Sequence, residues 1–447
     1  MRHHRGAGLQ AAVILILMLV VEPPQVLAAA LGQREVLPNG MVLLFSEKRA
    51  VPILTATMLI QAGAIQDPPD KPGVANLTVE LITQGTTART ATQISEAIEF
   101  VGGSLSLGAG QDVATVSLSV LSRDLDLGLE LLADILLNPT FAPDEIKRKA
   151  QEVLAGIQRK QEDPGEVAAE AFAALVFGPH PYGRPVEGTE TSVPTITRED
   201  LVRFHQTNYR PNKTILAVVG DVSLSDLKRR LEARLGGWQP GGPAFTPPPD
   251  PAPLTRPVVR TIQRDVTQAN ILLGHVGVTR DNPDYYAIQV MNYILGGGGV
   301  TSRLTSKIRE EQGWAYDVGS AFMPDKYAGT FSVSVQTKNQ TAQDAIDAIL
   351  AEMRRIREQP VNETELTDAK AYLTGSFPLR LDTTSKIVRL LANIEYFGLG
   401  LDYVYRYAGF INGVTVGDIQ RVARKYLHPD RYALAVVADL TKAKLKP

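Results

Sequence analysis

Alternation of apolar and polar residues along the chain predicts strands that bury one face. Three runs carry this pattern: 41–47 (MVLLFSE), 53–61 (ILTATMLIQ) and 113–120 (VATVSLSV). Apolar residues recur at helical spacing in three other segments: 94–101, 127–137 and 145–158. Thr90 and Gln93 form a T-x-x-Q capping box before the first of these helices. The pattern predicts an α+β unit, a mostly antiparallel sheet with helices packed on one face.

The second half of the chain repeats the first. Residues 197–222 (TREDLVRFHQTNYRPNKTILAVVGDV) align without a gap with residues 415–440 (TVGDIQRVARKYLHPDRYALAVVADL). Two further pairs of segments correspond: 113–120 with 328–335, and 141–154 with 361–373. A repeat of this length predicts two tandem homologous units rather than a short-period solenoid.

A stretch rich in proline and glycine, GWQPGGPAFTPPPDPAPLTRP at 237–257, separates the two copies. It carries almost no apolar periodicity, which is typical of an extended surface linker. We therefore predict an N-terminal unit at 31–240, a linker at 241–258 and a C-terminal unit at 259–447.

The first thirty residues have the pattern of a secretory signal peptide. Arg2 and Arg5 precede an apolar run at 11–21, and the sequence EPPQVLAAA follows it. We predict that residues 1–30 are removed and that the mature chain is exported, to the periplasm if the source is a double-membraned bacterium. The alternative is an uncleaved membrane anchor, although the run is shorter than the ~20 residues that span a bilayer.

Composition excludes several classes of function. The net charge of −2 over 447 residues gives no electrostatic basis for binding nucleic acid. The chain has no cysteine, which excludes disulfides, thiolate zinc sites and thiol nucleophiles.

Five segments, taken in order and with their spacing, carry a resemblance to a known family. They are VLPNGMVLLF, GVANLTVELITQGT, FGPHPYGRPVEGT, NYRPNKTILAVVGDV and LGGGGVTSRLTSKIREEQGWAYDVGS. Over residues 34–440 the chain resembles the pitrilysin/insulinase family of zinc peptidases, the inverzincins, which includes the mitochondrial processing peptidases. The resemblance implies a duplicated α+β unit, in agreement with the repeat.

The family's metal helix carries His-x-x-Glu-His, and this chain has lost it. The resemblance places Asn76 and Glu80 at the histidine positions, Val79 at the catalytic glutamate and Gly156 at the third ligand. Asn is a poor zinc ligand and Val cannot accept a proton, so we predict no metal in this chain.

The histidines outside the predicted leader are His180, His205, His275 and His428. They are far apart in sequence, without an i, i+3 or i, i+4 partner. We expect His180 to have a loop role, and His205 and His428 to lie at the surface or at helix ends. A metal site rebuilt in three dimensions is the alternative.

The C-terminal unit keeps other chemistry of the family. The resemblance places Arg303 and Tyr316 on a paired arginine and tyrosine that face the zinc across a closed chamber. In catalytic members they hold the substrate's carbonyl and stabilise the oxyanion, as fixed donors can. The alternative is that Arg303 pairs locally and that Tyr316 is a half-buried strand residue.

Four consecutive glycines precede this segment: Gly296, Gly297, Gly298 and Gly299. Glycines end helices and make tight turns, which explains one or two of them. The resemblance implies a substrate-facing loop whose backbone amides are bare and mobile. A phosphate loop is disfavoured because G-x-x-x-x-G-K-[ST] is absent.

In heterodimeric members of the family one subunit carries the metal site and the other the complementary pair. We therefore predict a non-catalytic, activity-supporting subunit of an exported zinc peptidase, with zinc and His-x-x-Glu-His in its partner and an unfolded or short peptide as substrate. Two alternatives stay open: a peptide-binding or structural scaffold, and a hydrolase with a rebuilt metal site. Whether the chain forms a homodimer or a heterodimer is also open.

Overall fold

The computed structural model of the protein describes residues 30–446. The predicted signal peptide lies outside these residues except for its last position. Within the described part of the chain, no helix is both long and apolar enough to cross a bilayer.

The N-terminal half forms one sheet and seven helices. In chain order the elements are β1 Gln33–Val36, β2 Val42–Glu47, β3 Ile53–Ile60, α1 Val74–Leu81, α2 Ala91–Phe100, β4 Ser104–Ala109, β5 Ala114–Leu121, α3 Leu125–Leu137, α4 Pro143–Glu162, α5 Pro164–Phe177, α6 Arg198–Asn208, β6 Thr214–Gly220 and α7 Leu224–Leu235.

The C-terminal half begins after an extended segment at 239–257 that has neither helix nor strand. Its elements are β7 Val258–Gln263, β8 Gln268–Val276, α8 Tyr285–Asn292, β9 Ala315–Met323, β10 Thr330–Lys338, α9 Ala342–Glu358, α10 Glu363–Ser376, α11 Thr384–Tyr396, α12 Tyr403–Asn412, α13 Val416–Tyr426, β11 Ala433–Ala438 and α14 Leu440–Ala443. Two π-helical turns, Tyr293–Gly297 and Thr305–Glu311, lie between α8 and β9.

The two sheets share one topology. The first has the strand order β1-β2-β6-β3-β5-β4 and the second has β7-β11-β8-β10-β9. In each sheet one pair is parallel, β2 with β6 and β7 with β11, and the following pairs are antiparallel. The first sheet differs from the second in having one extra strand, β1, at its edge. The predicted fold, two tandem homologous α+β units, is confirmed.

The repeat also fixes where matching helices begin. Thr197 and Thr415 are the N-caps of α6 and α13, and each closes a capping box with the aspartate three residues later. The capping box predicted at Thr90 is present before α2. These side chains satisfy backbone N–H groups that would otherwise lack partners at the helix start.

Each unit lends one helix to the other unit's sheet. Helix α11 packs on β3 and β6, where Val388 and Leu391 join a buried cluster with Leu44 and Val219. Helix α5 packs on β8 and β11 in the same way. Besides the helices of its own unit on one face, as predicted, each sheet therefore has a borrowed helix on its second face. The interface between the units is a hydrophobic core.

Candidate functional site

Helix α1, which carries the degenerate metal positions, is anchored at its N-terminus by a buried carboxyl group. The two Asp67 oxygens accept hydrogen bonds from the backbone N–H groups of Gly73 and Ala75, both at 2.7 Å. Burial raises the pKa of Asp67 to about 7, against these hydrogen bonds, which act to lower it. Most of α1 is buried, including Val79 at the position of the family's catalytic glutamate.

An ammonium group lies beside the one acidic residue of the metal pattern. Lys149 on α4 places its Nζ 3.2 Å from Glu80 and 3.0 Å from Glu152. Burial acts to lower the pKa of Lys149, but the hydrogen bonds and charges of the two glutamates outweigh it and raise it. The positive charge that links α1 to α4 in this structure is therefore the ammonium group of the Lys149 side chain.

The residues at the degenerate positions do not fit a zinc ion. Zinc needs three or four histidine, thiolate or carboxylate ligands converging on one point. Within residues 30–446 no three His, Asp or Glu side chains are grouped so that they could hold a metal. Gly156 contributes no ligand atom, and the space where its Cβ would lie is open. The residues at these positions therefore give no basis for a metal-dependent hydrolytic step at this site.

The four histidines have structural environments. His180 accepts a hydrogen bond from the Tyr182 backbone N–H in a 3₁₀ turn, as a loop role requires. His205 is half-buried, stacks on Tyr209 and bonds the Leu136 carbonyl oxygen. Burial lowers the pKa of His205 to about 4. His205 lies in the last turn of α6, so the helix-end position expected for it is confirmed.

The other two histidines come together although they are far apart in sequence. The rings of His275 and His428 have centroids 4.7 Å apart. Nε2 of His275 accepts the backbone N–H of His428. Burial lowers the pKa of His275 to about 3 and that of His428 to about 4, so the pair stays neutral at physiological pH. The half-buried His428 holds the α13–β11 connection in place.

A cleft opens next to the degenerate site. It has a volume of about 730 Å³ and lies between Glu80 and Lys149 on one side and strand β4 on the other. Strand β4 is the edge strand of the first sheet, with one side unpaired. An extended peptide laid along β4 would gain a strand partner there.

Arg303 is committed to an ion pair. Its Nε and Nη2 donate to the two Glu365 oxygens at 2.6 and 2.8 Å, and 12% of its side chain is exposed. Glu365 also accepts from the backbone N–H of Asn362 and so closes the capping box of α10. Burial acts to raise the pKa of Glu365, but the Arg303 bonds outweigh it and lower it. Arg303 ties the loop before β9 to α10.

A different arginine lies at Tyr316. Tyr316 is 79% exposed near the start of edge strand β9. The guanidinium of Arg309, itself exposed, lies 5.3 Å from the centre of its ring. The guanidinium beside the tyrosine is therefore that of Arg309, and the role predicted for Arg303 and Tyr316 in a partner's active site stays a prediction. The alternative was that Tyr316 is a half-buried strand residue. Its side chain is more exposed than that alternative expects.

The glycine run is an ordered turn. Gly296 and Gly297 end a π-helical turn, and a Cβ on Gly296 would meet the Ser320 backbone at 2.6 Å. The N–H of Gly298 donates to the Tyr293 carbonyl oxygen at 2.8 Å, and Gly299 has φ +59°. The expectation of bare, mobile amides is wrong for Gly298. Gly297 and Gly299 are exposed, so the outer part of the turn faces solvent.

Two family models match the chain, one in each half. Residues 43–190 match "Insulinase (Peptidase family M16)" and residues 195–373 match "Peptidase M16 inactive domain". The chain belongs to the insulinase family of metallopeptidases, as a member that lacks the catalytic motif.

Similar proteins cover nearly the whole chain. An uncharacterized zinc protease of Mycobacterium leprae is 29% identical over 419 residues, 93% of each chain. One from Bacillus subtilis is 25% identical over 403 residues, 90% of this chain and 96% of its own. A crystal structure described as a peptidase M16 inactive domain, from Pseudomonas fluorescens, is 29% identical, with a TM-score of 0.86 over 93% of this chain and all of its own. A Helicobacter pylori protease, 19% identical, shares the fold with a TM-score of 0.84 over 91% of this chain and 99% of its own.

The sequence did not identify two further functional candidates, Lys149 and Arg309, and only Lys149 had a signal in the sequence. Lys149 lies seven residues before Gly156, two turns along one helix face. Arg309 lies seven residues before Tyr316 across a π-helical turn and a bend, and no simple helical period predicts that contact.

Proposed function

We propose that this chain is a non-catalytic, activity-supporting subunit of an exported, heterodimeric zinc peptidase. Its partner would carry His-x-x-Glu-His and the zinc ion, and the substrate would be an unfolded or short peptide. The observation that carries the proposal is the contrast between the two units. The first holds an ammonium at the metal helix, while the second presents Arg309 and Tyr316 to solvent.

Arg309 and Tyr316 would act on the substrate's backbone. A guanidinium and a phenol offer N–H and O–H donors and can hold a carbonyl oxygen in place. Placed opposite a partner's metal, the same donors would stabilise the negative charge that develops on that oxygen during hydrolysis. The exposed turn at Gly297 and Gly299 would let the peptide approach closely.

Arg303 would act as a positioning residue. Its bidentate pair with Glu365 fixes the segment that leads through the second π-helical turn to β9. Because this ion pair fixes the segment on its inner side, the side chains on its outer side keep a defined geometry. Hydrogen-bond donors to a transition state require such a geometry.

The test is reconstitution with the partner subunit. The tagged mature chain, residues 31–447, is captured from its native extract, and the co-purifying protein is identified by mass spectrometry. The proposal expects a stoichiometric partner of similar size that carries His-x-x-Glu-His. Recovery of this chain by itself, or with unrelated proteins, would count against it.

The reconstituted pair then separates roles by kinetics. Arg309→Ala and Tyr316→Phe are expected to lower kcat/KM for an unfolded peptide by roughly 10²-fold each, the scale for loss of one oxyanion donor. The matched control is Lys307→Ala, an exposed cation two residues away that pairs with Glu311. Unchanged turnover in both variants would refute the assignment.

A second candidate is a peptide-binding or scaffolding protein of the same fold. The open edge of β4 and the adjoining 730 Å³ cleft favour it, because they offer this chain a peptide site of its own. It predicts peptide binding by the isolated chain that Arg309→Ala leaves unchanged, together with no peptidase partner.

A further inference from the structure

The turns of two equivalent hairpins meet at the interface between the units. Asp112 belongs to the β4–β5 hairpin of the first unit, and Asp325 to the β9–β10 hairpin of the second. Both aspartates line the same cleft, and the charge of Asp112 acts on the Asp325 carboxyl group. Asp112 is 5% exposed.

Both exchanged helices end at this point. Tyr396, the last residue of α11, donates its hydroxyl to Asp112 at 2.8 Å. Tyr182, in the turn after α5, donates its hydroxyl to the other Asp112 oxygen at 2.6 Å. The Asp112 carboxylate therefore joins the ends of the two helices that the units lend to each other.

Two adjacent carboxyl groups in a poorly hydrated place cannot both be ionised cheaply. Burial raises the pKa of Asp325 to about 7, and the charge of Asp112 is the second-largest cause of this increase. A protonated Asp325 would supply an O–H to Asp112, beside the two tyrosine hydroxyls. An ionised Asp325 would replace that donor with a like charge.

One cation, Lys326, interacts with the charge of Asp112, and its backbone N–H donates to an Asp325 carboxyl oxygen at 2.9 Å. The titratable or charged groups that face the two aspartates are His180, Tyr182, Lys326, Tyr327, Arg389 and Tyr396. The nearest cation, Lys326, donates to the Tyr396 carbonyl oxygen at 2.8 Å and lies over its ring, so it caps α11. Glu395, which precedes that tyrosine, is held by Arg34.

Water can reach the carboxyl groups. Asp112 and Asp325 line a cleft of about 620 Å³ between α11 and the β3, β4 and β5 strands. A proton can leave to solvent through this cleft without unfolding either unit.

We propose that a proton on Asp325, donated to Asp112, locks the two units together, tightly at acidic pH and progressively more loosely as pH rises to neutrality. When the lock opens, each carboxyl group is hydrated and Asp325 releases its proton to water. Because the opened form binds one proton fewer, opening becomes about tenfold more favourable per pH unit between roughly pH 4 and 7, and constant above. The lock would set the freedom of the units to move relative to each other.

Hydrogen–deuterium exchange of the whole chain from pH 4.5 to 8.5, corrected for intrinsic exchange rates, tests this. In the wild type, protection of residues 110–113, 325–329 and the last turn of α11 should fall about tenfold per pH unit up to neutrality and then level off. Asp325→Asn donates at every pH, so its protection should be flat. Asp265→Asn, an exposed aspartate of the same unit, should follow the wild type.

Flat protection in the wild type, or the wild-type pH dependence in Asp325→Asn, would overturn the proposal. Tyr396→Phe provides a second test if Asp325→Asn does not fold. It removes one donor to the Asp112 charge, so the pair should hold its proton to higher pH. The levelling point should then move upward, and an unmoved point would also overturn the lock.

Discussion

The ammonium of Lys149 lies 3.2 Å from the Glu80 carboxylate, at the position where the family's second zinc-binding histidine would stand. The same ammonium contacts Glu152 on its own helix. The ion pair between Lys149 and Glu80 therefore joins α1 to α4. This arrangement has a consequence for any attempt to restore the metal.

Introducing the family's zinc ligands should give tighter zinc binding when the Lys149 ammonium is removed as well. Asn76→His, Glu80→His and Gly156→Glu together with Lys149→Ala should bind one zinc ion. The same triple variant with Lys149 retained should bind at least about tenfold more weakly, because a nearby like charge opposes the cation. Isothermal titration with zinc measures both. Equal affinities would show that the ammonium does not occupy the site.

The same conservative change should lower stability much more at Arg303 than at Arg309. Arg303→Lys loses a half-buried bidentate pair that also supports the α10 capping box, so the free energy of unfolding should fall by about 1–2 kcal/mol. Arg309→Lys, at an exposed position, should change it by less than about 0.5 kcal/mol. Urea unfolding at neutral pH distinguishes them. A larger loss for Arg309 would reverse the roles assigned here.

Asp67 should make stability fall as pH rises. Its pKa is about 7 in the folded protein against about 3.9 in an unfolded chain, so the folded state binds more protons between these values. Its contribution is fully present below about pH 4 and is lost by about pH 7, at up to ~1.4 kcal/mol per pH unit. Asp67→Asn should reduce this slope relative to the wild type.

Thermal melts at several pH values between 4 and 8 measure how steeply stability depends on pH in the wild type and in Asp67→Asn. Asp200→Asn is a useful comparison, because burial acts to raise the pKa of Asp200 but its bonds to Lys71 and Thr197 lower it overall. That group contributes stability at neutral pH that is lost on acidification, the opposite sign. The same slope change in both variants would contradict the assignment.

Leu391 should stabilise both units although it belongs to one. Its side chain is fully buried against the sheet of the other unit. Leu391→Ala should cost about 2–4 kcal/mol and lower a single cooperative unfolding transition, measured by calorimetry. Arg389→Ala, two positions earlier and exposed, should cost less than about 0.5 kcal/mol. Two separate transitions, with one unaffected, would mean that the units unfold independently.

The sequence by itself determined the units, their duplication and the loss of the metal site. Strand alternation, the capping box at Thr90 and the missing histidines are properties of neighbouring residues, and neighbours can be read from the chain. The α+β fold and the missing His-x-x-Glu-His motif around Asn76 and Glu80 follow from such local facts.

Tertiary structure decided which side chains meet. Lys149 reaches Glu80 across a helix pair, His275 meets His428, and Asp112 meets Asp325 from the opposite unit. Arg303 pairs with Glu365, and the guanidinium beside Tyr316 is that of Arg309. Such contacts depend on how the elements pack, because ion pairs and hydrogen bonds act over a few ångströms while sequence patterns record only the order of residues.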